Sequence, residues 1–128
     1  MFSFKKEERL SSKKTIDSLF KKGCSFTESR FRIIWVKTDS GSENPIQICI
    51  SVPKKNIKLA VNRNLIKRRT KEAYRLNKSI IFDYFTKKNT QLAIMLIYQS
   101  NKILDYNDIK NKIIVILPRL IKEYEKRN

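Results

Sequence analysis

The spacing of hydrophobic residues changes along this chain, and each spacing predicts a different element. A first helix is predicted between Ser12, placed as its cap, and Gly23, placed to end it. Residues 31–36 are rich in β-branched and aromatic side chains, and residues 46–53 alternate between apolar and small or polar ones. Because turn-forming residues fill positions 39–45, this half predicts a helix and then two strands joined by a turn.

The second half predicts a long helix, a buried strand and a final helix. Residues 59–77 are amphipathic at the helical period, whereas residues 80–85 fit either an extension of that helix or a short second one. Residues 92–98 form an uninterrupted apolar run of strand length, which suggests a strand covered on both faces. Residues 105–126 again show helical spacing, with Pro118 expected to kink the helix. The order αββαβα predicts an α+β fold, and a chain of 128 residues suits a single domain, 1–128, with one core.

The helix predicted at 59–77 carries a basic face opposite an apolar one. Successive residues are about 100° apart around a helix, which gathers most of its cations and one asparagine into an arc of about 140°. These residues are Arg63, Asn64, Lys67, Arg68, Lys71 and Arg75. The like charges repel one another and only Glu72 answers them locally, so the helix favours an anionic partner. A solvated basic face is the alternative interpretation, and the pattern does not explain why Asn62 and Arg69 fall on the apolar side.

The composition indicates that this partner is a nucleic acid. The chain has 29 Lys and Arg against 12 Asp and Glu, a net charge of +17 that a compact domain normally keeps when a polyanion relieves it. The charge is spread along the chain rather than gathered into one cluster, which disfavours a membrane partner. No stretch reaches the roughly 18 apolar residues of a spanning helix, and residues 1–6 lack the apolar block of a signal peptide. We therefore expect a cytoplasmic protein.

The residues that the chain lacks disfavour catalysis by the protein alone. There is no histidine, which removes the usual near-neutral general base and the commonest metal ligand. The carboxylates form no DxD-type cluster, and the two glycines provide no phosphate-binding loop. Cys24 and Cys49 show no metal-ligand spacing and are expected to be reduced, structural thiols. A self-sufficient RNA-processing enzyme is therefore the least favoured function.

Two linked strings carry a resemblance to a known family. They are Ser51-Val52-Pro53-Lys54-Lys55, and Ala60-Val61 followed by Arg63-Asn64-x-x-Lys67-Arg68. Together they resemble the signature of the bacterial ribonuclease P protein family, often called the RNR motif. The similarity extends through Phe4-Lys5, Arg9-Leu10, Leu19-Phe20, Gly23 and the closing strand and helix, so that it covers nearly the whole chain. The resemblance implies a sheet packed by helices, with an unusual left-handed βαβ crossover that presents the motif helix.

The resemblance also implies a function. The chain would be the protein subunit of a ribonucleoprotein endonuclease that removes the 5′ leader of precursor tRNA, without an active site of its own. The expected partners are the catalytic ribonuclease P RNA and the leader, with no membrane and no protein oligomer. No cofactor is expected on the protein alone, because the RNA subunit would hold the catalytic magnesium ions. Contacts with the catalytic RNA would fall to the basic face, with Lys54 and Lys55 nearby.

A second surface implied by the resemblance is a cleft between the first helix and the sheet, which would bind the single-stranded leader. Stacking faces and a cationic track suit that task. The candidates are Ile16, Phe20, Arg30, Phe31, Arg32 and Trp35. Aromatic residues at such spacings more often belong to the core, so the sequence leaves Phe20 and Phe31 between cleft and core. Trp35 shares strand parity with Phe31 and should face the same way.

The chain departs from the family pattern at three positions. Ile16 stands where many members carry an aromatic residue, Cys49 where a glycine precedes the Ser-Val pair, and Lys71 where the motif commonly has arginine. Lys71 keeps the charge but loses the bidentate fork of arginine. The rival function is that of a ribosomal or other structured-RNA-binding protein of the same fold, against which the paired strings argue.

Overall fold

In the computed structural model, which describes residues 8–39 and 43–127, eight elements follow one another along the chain. They are α1 (Lys13–Lys22), β1 (Cys24–Glu28), β2 (Phe31–Thr38), β3 (Ile46–Ser51), α2 (Ala60–Asn77), α3 (Ser79–Lys87), β4 (Gln91–Tyr98) and α4 (Tyr106–Arg127). The α+β prediction is confirmed, and every predicted element is present. Residues 1–7, from which the lack of a signal peptide was argued, and part of the predicted turn at 39–45 lie outside the described residues.

The observed order contains two elements more than the predicted αββαβα. Phe26 is the one buried residue of strand β1, so the strand shows too little hydrophobic signal to stand out in the sequence. Helix α3 is a separate helix, which decides between the two possibilities that the pattern left open for residues 80–85. Lys78 lies between α2 and α3 and caps both.

The four strands form one sheet in the order β1-β2-β4-β3. Strands β1, β2 and β4 are antiparallel neighbours, whereas β3 runs parallel to β4. A parallel pair needs a crossover, and here α2 and α3 supply it. The left-handedness of this crossover stays a prediction from the resemblance.

The sheet has two unequal faces. Helices α2, α3 and α4 cover one face and form the main core with the inward residues of β2, β3 and β4. Among the residues that the structure describes, the other face carries only α1 and a smaller apolar cluster, and we call it the α1 face. Its cluster consists of Leu10, Leu19, Ile34, Ala93 and Met95. Because one short helix covers that face, part of the sheet there is open to solvent.

Local chemistry fixes both ends of α1, as the sequence predicts. The Ser12 hydroxyl accepts a hydrogen bond from the Thr15 backbone N–H at 3.3 Å, which caps the first turn. At the other end, a Cβ on Gly23 would lie 2.3 Å from the Leu19 carbonyl oxygen and 2.6 Å from a methyl carbon of Ile34. Only glycine allows the chain to pass this close to the sheet, so Gly23 sets how tightly α1 packs.

The outer edge of β3 is partly covered by the segment that precedes α1. Arg9 forms a parallel bridge with Ile48, and the Leu10 N–H donates to the Ile48 carbonyl at 3.0 Å. Pairing of this kind protects an otherwise open sheet edge.

Helix α4 is the longest helix, with 22 residues and Pro118 inside it. It buries one stripe against the main core, which includes Ile109, Ile113 and Leu117. Within the described residues, no helix combines the length and apolar character needed to cross a membrane.

Candidate nucleic-acid interface

Helix α2 holds the RNR string with one side in the core and the other in solvent. Ile66, Thr70, Ala73 and Tyr74 are fully buried. On the opposite side Asn64, Lys67 and Arg68 are exposed, and Lys71 and Arg75 are half-buried. Together with the half-buried Arg63, these five residues form the basic face. The packed side fixes the helix, so the basic face is presented on a rigid support.

Electrostatics at the start of α2 add to the positive potential of this face. The N-cap residue, Leu59, makes no side-chain cap, and no acidic residue lies in the first turn. The free N–H groups of a helix N-terminus carry partial positive charge. Lys54, Lys55 and Lys58 are exposed in the loop just before it, which extends the cationic surface beyond the helix.

Arg63, the first residue of the RNR string, uses part of its guanidinium group for hydrogen bonds within the protein. Its Nη1 donates to the carbonyl oxygens of Ile57 and Lys58, at 3.0 and 2.6 Å. Guanidinium carries five N–H donors, so the remaining ones stay available. The structure thus gives Arg63 a role that the sequence did not show, which is to tie the preceding loop to α2.

Two further arginines of α2 have partners within the fold. Arg69 donates to the Leu104 carbonyl at 2.6 Å, which explains a cation on the apolar side that the helical pattern left unexplained. Arg75 forms an ion pair with Glu72 one turn away. The hydrogen bond from Arg75 holds the pKa of Glu72 below its ordinary value, with burial opposing the shift. Within the basic face, the charge of Arg75 is therefore partly neutralised by Glu72.

The loop between β3 and α2 is ordered by its own contacts. The Asn56 and Ile57 N–H groups donate to the Pro53 carbonyl, at 3.1 and 3.2 Å. The Asn56 side chain donates to the Tyr98 carbonyl at 2.9 Å and so ties the loop to β4. Lys54 and Lys55 project from this fixed turn and are exposed.

Four of the predicted cleft residues are accessible to solvent. Ile16 is half-buried against the apolar cluster, and Phe20, one turn further along α1, has 61% of its surface exposed. Arg32 is exposed on β2, where it pairs with Ile97 of β4. Arg30 is exposed in the tight turn between β1 and β2, where its φ is 67°. Phe20 is therefore not a core residue.

The prediction that Phe31 and Trp35 line the cleft is wrong. Both belong to the main core on the other face of the sheet, with exposed fractions of 0% and 3%. The Phe31 ring packs edge-on against Tyr98 at a centroid distance of 5.4 Å, and Trp35 packs against Tyr124 at 5.7 Å. Their shared parity was predicted correctly, but parity alone does not say which face is covered by more helices. In the sequence, Arg32 between them indicated the correct face. An arginine without a buried partner faces solvent, so the residues on either side of it along the strand face the core.

With Phe31 and Trp35 in the main core, the residues that alternate with them lie on the α1 face. Alternation along the strands places Ile34, Val36, Cys49, Met95 and Ile97 there with Arg32. Sequence reasoning did not include Ile34 or Ile97 among the candidates, because both lie in apolar runs that look alike on either face.

A polar cavity joins the two sets of predicted residues. It has a volume of about 430 Å³ and is lined by Arg32, Pro53, Lys55, Asn56, Ile97 and Gln99. Arg32 comes from the cleft set and Lys55 from the set expected to contact the catalytic RNA. The loop before α2 and the face of β2 that carries Arg32 therefore adjoin at this cavity. Across residues 8–39 and 43–127, no group of three or more acidic or cysteine side chains is arranged to hold a metal ion.

Comparison with known proteins identifies the family. The family model of ribonuclease P matches residues 4–120, nearly the whole chain. The chain belongs to the ribonuclease P protein family. It is 33% identical over 121 residues to the ribonuclease P protein component of Petrotoga mobilis, covering 92% of this chain and 95% of that relative. It is 30% identical over 112 residues to the corresponding component of Porphyromonas gingivalis, covering 85% and 80%.

Solved structures of ribonuclease P proteins share the fold. The Staphylococcus aureus protein superposes with a TM-score of 0.69 at 25% identity, covering 88% of this chain and 94% of that one. The Thermotoga maritima protein superposes with a TM-score of 0.68 at 24% identity, covering 88% and 96%. The predicted family and fold class are thereby confirmed.

Proposed function

We propose that this protein assists a catalytic RNA in the endonucleolytic removal of the 5′ leader from precursor tRNA. In this proposal the basic face, with Lys54 and Lys55, binds the RNA subunit, and the α1 face binds the leader. The observation that carries the proposal is the cavity lined by both Arg32 and Lys55, because a cation of the proposed leader surface there lies beside a cation of the proposed surface for the RNA subunit. A protein of this shape can hold two RNA strands side by side and neutralise the charge of both.

The basic face suits the phosphates of a folded RNA. Lys67 and Arg68 are exposed on a rigid helix and present an ammonium and a guanidinium group to solvent. Asn64 beside them offers both a hydrogen-bond donor and an acceptor. Arginine binds phosphate in a bidentate manner, whereas lysine acts as a point charge. Such contacts fix the register of the protein on the RNA without reading its sequence.

The α1 face suits a single strand. Phe20 is an exposed aromatic ring on which a base can stack, and Arg32 and Arg30 supply a cationic track. Ile16 contributes apolar surface without an aromatic face, so Phe20 carries the stacking that this helix offers. Phe31 and Trp35 take no part, because they lie in the core.

Hydrolysis is assigned to the RNA subunit and the magnesium ions that it holds. The chain has no histidine to act as a near-neutral general base, which supports a role in binding rather than bond cleavage. The protein then neutralises charge on the RNA and binds the substrate. It acts in the cytoplasm and has no cofactor of its own.

A binding experiment with two substrates tests the proposal. Affinity for the RNA subunit and for precursor tRNA with a long or a very short leader would be measured across a range of salt concentrations. We expect tighter binding of the long-leader substrate in the holoenzyme, and a log affinity for the RNA subunit that falls by up to about 0.9 per phosphate contact for each log unit of salt. A nearly flat salt dependence, or equal affinity for both leaders, would contradict it.

A further inference from the structure

A buried ion pair lies at the corner where α2 meets α3. The Lys78 ammonium donates to the Glu8 carboxylate, and the side chains are only 7% and 1% exposed. Lys78 also lies 4.9 Å from the centroid of the Phe82 ring. Burial, and after it the Glu8 charge, raises the pKa of Tyr74, so Glu8 also lies close to the buried side of α2. The segment before α1 is therefore anchored in the structure that supports the basic face.

The same segment is anchored a second time two residues later. Leu10 is buried in the apolar cluster of the α1 face, and its N–H donates to the Ile48 carbonyl. Glu8 thus packs against the corner of α2 and α3, and Leu10 packs against the α1 face. Arg9 lies where the chain passes from one of these surfaces to the other.

Arg9 is exposed, although the backbone on both sides of it is fixed. It pairs with Ile48 at the edge of β3. Burial raises the pKa of the thiol of Cys49, the next residue of β3, and the charge of Lys67 on α2 acts against that shift. The charge of Lys67 thus acts on the residue of β3 that follows Ile48. Arg9 is a cation at the edge of β3, between the corner of α2 and α3 and the α1 face.

We propose that Arg9 binds a phosphate of RNA at the border between the basic face and the α1 face, and that the Glu8–Lys78 ion pair positions it there. The inference deepens the proposed function and rests on it, because it adds a contact to the same RNA interface. A guanidinium held on a fixed backbone loses less freedom on binding than one on a mobile chain end. The phosphate comes from the RNA subunit or from the leader, and the experiment separates these two sources.

The first test compares Arg9→Gln with Lys122→Gln. Both remove one exposed positive charge, but Lys122 lies near the C-terminal end of α4 and belongs neither to the basic face nor to the α1 face. Affinity would be measured for the RNA subunit alone, and for precursor tRNA with long and short leaders in the holoenzyme. We expect Arg9→Gln to weaken one of these affinities by about tenfold and to lower by about one the slope of that log affinity against log salt concentration. Lys122→Gln should change each affinity by less than about twofold.

The substrate that responds identifies the source of the phosphate. A loss in binding of the RNA subunit assigns the contact to that RNA, and a loss confined to the long leader assigns it to the substrate. An Arg9→Gln protein that binds both as the Lys122→Gln protein does would overturn the inference.

The second test asks whether Glu8 acts through Arg9. Glu8→Gln, Arg9→Gln and the double variant would be compared at a temperature where circular dichroism shows each to be folded. We expect Glu8→Gln to weaken the binding that Arg9 supports, and the double variant to bind no more weakly than Arg9→Gln alone. Unchanged binding by Glu8→Gln, or losses that simply add, would overturn the positioning role. Glu8→Asp, which keeps the charge on a shorter side chain, replaces Glu8→Gln if that variant does not fold, with the same expectation.

Failure of the proposed function looks different from failure of this inference. If the proposed function is wrong, the unaltered protein binds neither the RNA subunit nor the leader. If only the inference is wrong, the unaltered protein binds both and Arg9→Gln binds equally well.

Discussion

Phe31 and Arg32 are neighbours in β2, yet their side chains lie on opposite faces of the sheet. Phe31 is fully buried against Tyr98, whereas Arg32 is exposed opposite Ile97 and lines the cavity shared with Lys55. One strand therefore supplies an anchor of the main core and a cation of the proposed leader surface. The two positions should respond to mutation in different ways.

Phe31→Ala should destabilise the fold, and Arg32→Gln should not. Truncating a buried phenylalanine costs about 3–5 kcal/mol through lost burial and the cavity left behind, so every activity of Phe31→Ala should fall together. Arg32→Gln should keep its melting temperature and lose affinity only for long-leader precursor tRNA. Thermal unfolding followed by binding of both substrates checks this, and a stable Phe31→Ala protein with a leader-specific defect would contradict it.

Phe20→Ala should remove a stacking contact without loss of stability. Loss of one base–aromatic stack costs about 1–3 kcal/mol of binding, and only substrates with a leader long enough to reach α1 should show it. The matched control is Leu19→Ala, one residue earlier on α1, because Leu19 is 1% exposed and its truncation should cost about 2–5 kcal/mol of stability. A lowered melting temperature for Phe20→Ala, with equal losses for both substrates, would exclude Phe20 from the leader surface.

The sequence predicts elements and caps well where the signal is local. Ser12 and Gly23 bound α1 through contacts with residues three and four positions away, and such contacts leave a pattern in the sequence. The choice of face for Phe31 and Trp35 depended on where α4 packs, and the alternation along β2 indicates that choice only through Arg32, whose charge marks the more open face. Local patterns therefore determine which residues share a face, while the tertiary packing determines which face is the core.

Partners distant in sequence were also beyond prediction. Arg69 appears misplaced on its helix until its acceptor, the Leu104 carbonyl, is known from the fold. Glu8 and Lys78 are 70 residues apart, and neither lies in a pattern that suggests burial. The basic face itself was predictable, because helical geometry alone brings Asn64, Lys67 and Arg68 to one side.

Arg63 and Arg68 should separate structure from RNA binding within the RNR string. Arg63→Ala loses hydrogen bonds to the Ile57 and Lys58 carbonyls and should cost about 1–3 kcal/mol of stability as well as affinity. Arg68 is exposed, so Arg68→Ala should weaken binding of the RNA subunit for any leader length and leave the melting temperature unchanged. Denaturant unfolding and RNA titration check both. The opposite order of stability losses would refute the assignment.

The ion pair between Glu28 and Arg119 should make stability depend on pH in the acid range. The hydrogen bond from Arg119 holds the pKa of Glu28 below its ordinary value of 4.5, although desolvation opposes the shift. A lowered pKa in the folded state adds stability above that ordinary value, and this stability is lost as the pH falls below it. Glu28→Gln should therefore lower the melting temperature near neutral pH, and the difference from the unaltered protein should shrink in acid.

Asp17→Asn provides the control for that experiment. Asp17 is exposed on α1 and forms no ion pair within the described part of the chain. Its substitution should leave the pH profile of the melting temperature unchanged. A difference between Glu28→Gln and the unaltered protein that persists unchanged in acid would count against the ion pair as its source.

Reconstitution with a ribonuclease P RNA at low magnesium concentration provides the most direct test of the proposed function. Cleavage of a precursor tRNA would be followed with the RNA alone, the rigorously RNA-free protein alone, and both together. We expect little or no cleavage from either component and site-specific release of the 5′ leader from the mixture, because the protein supplies charge neutralisation that magnesium otherwise provides. Metal-dependent cleavage by the protein alone, or a mixture no more active than the RNA alone, would contradict the account.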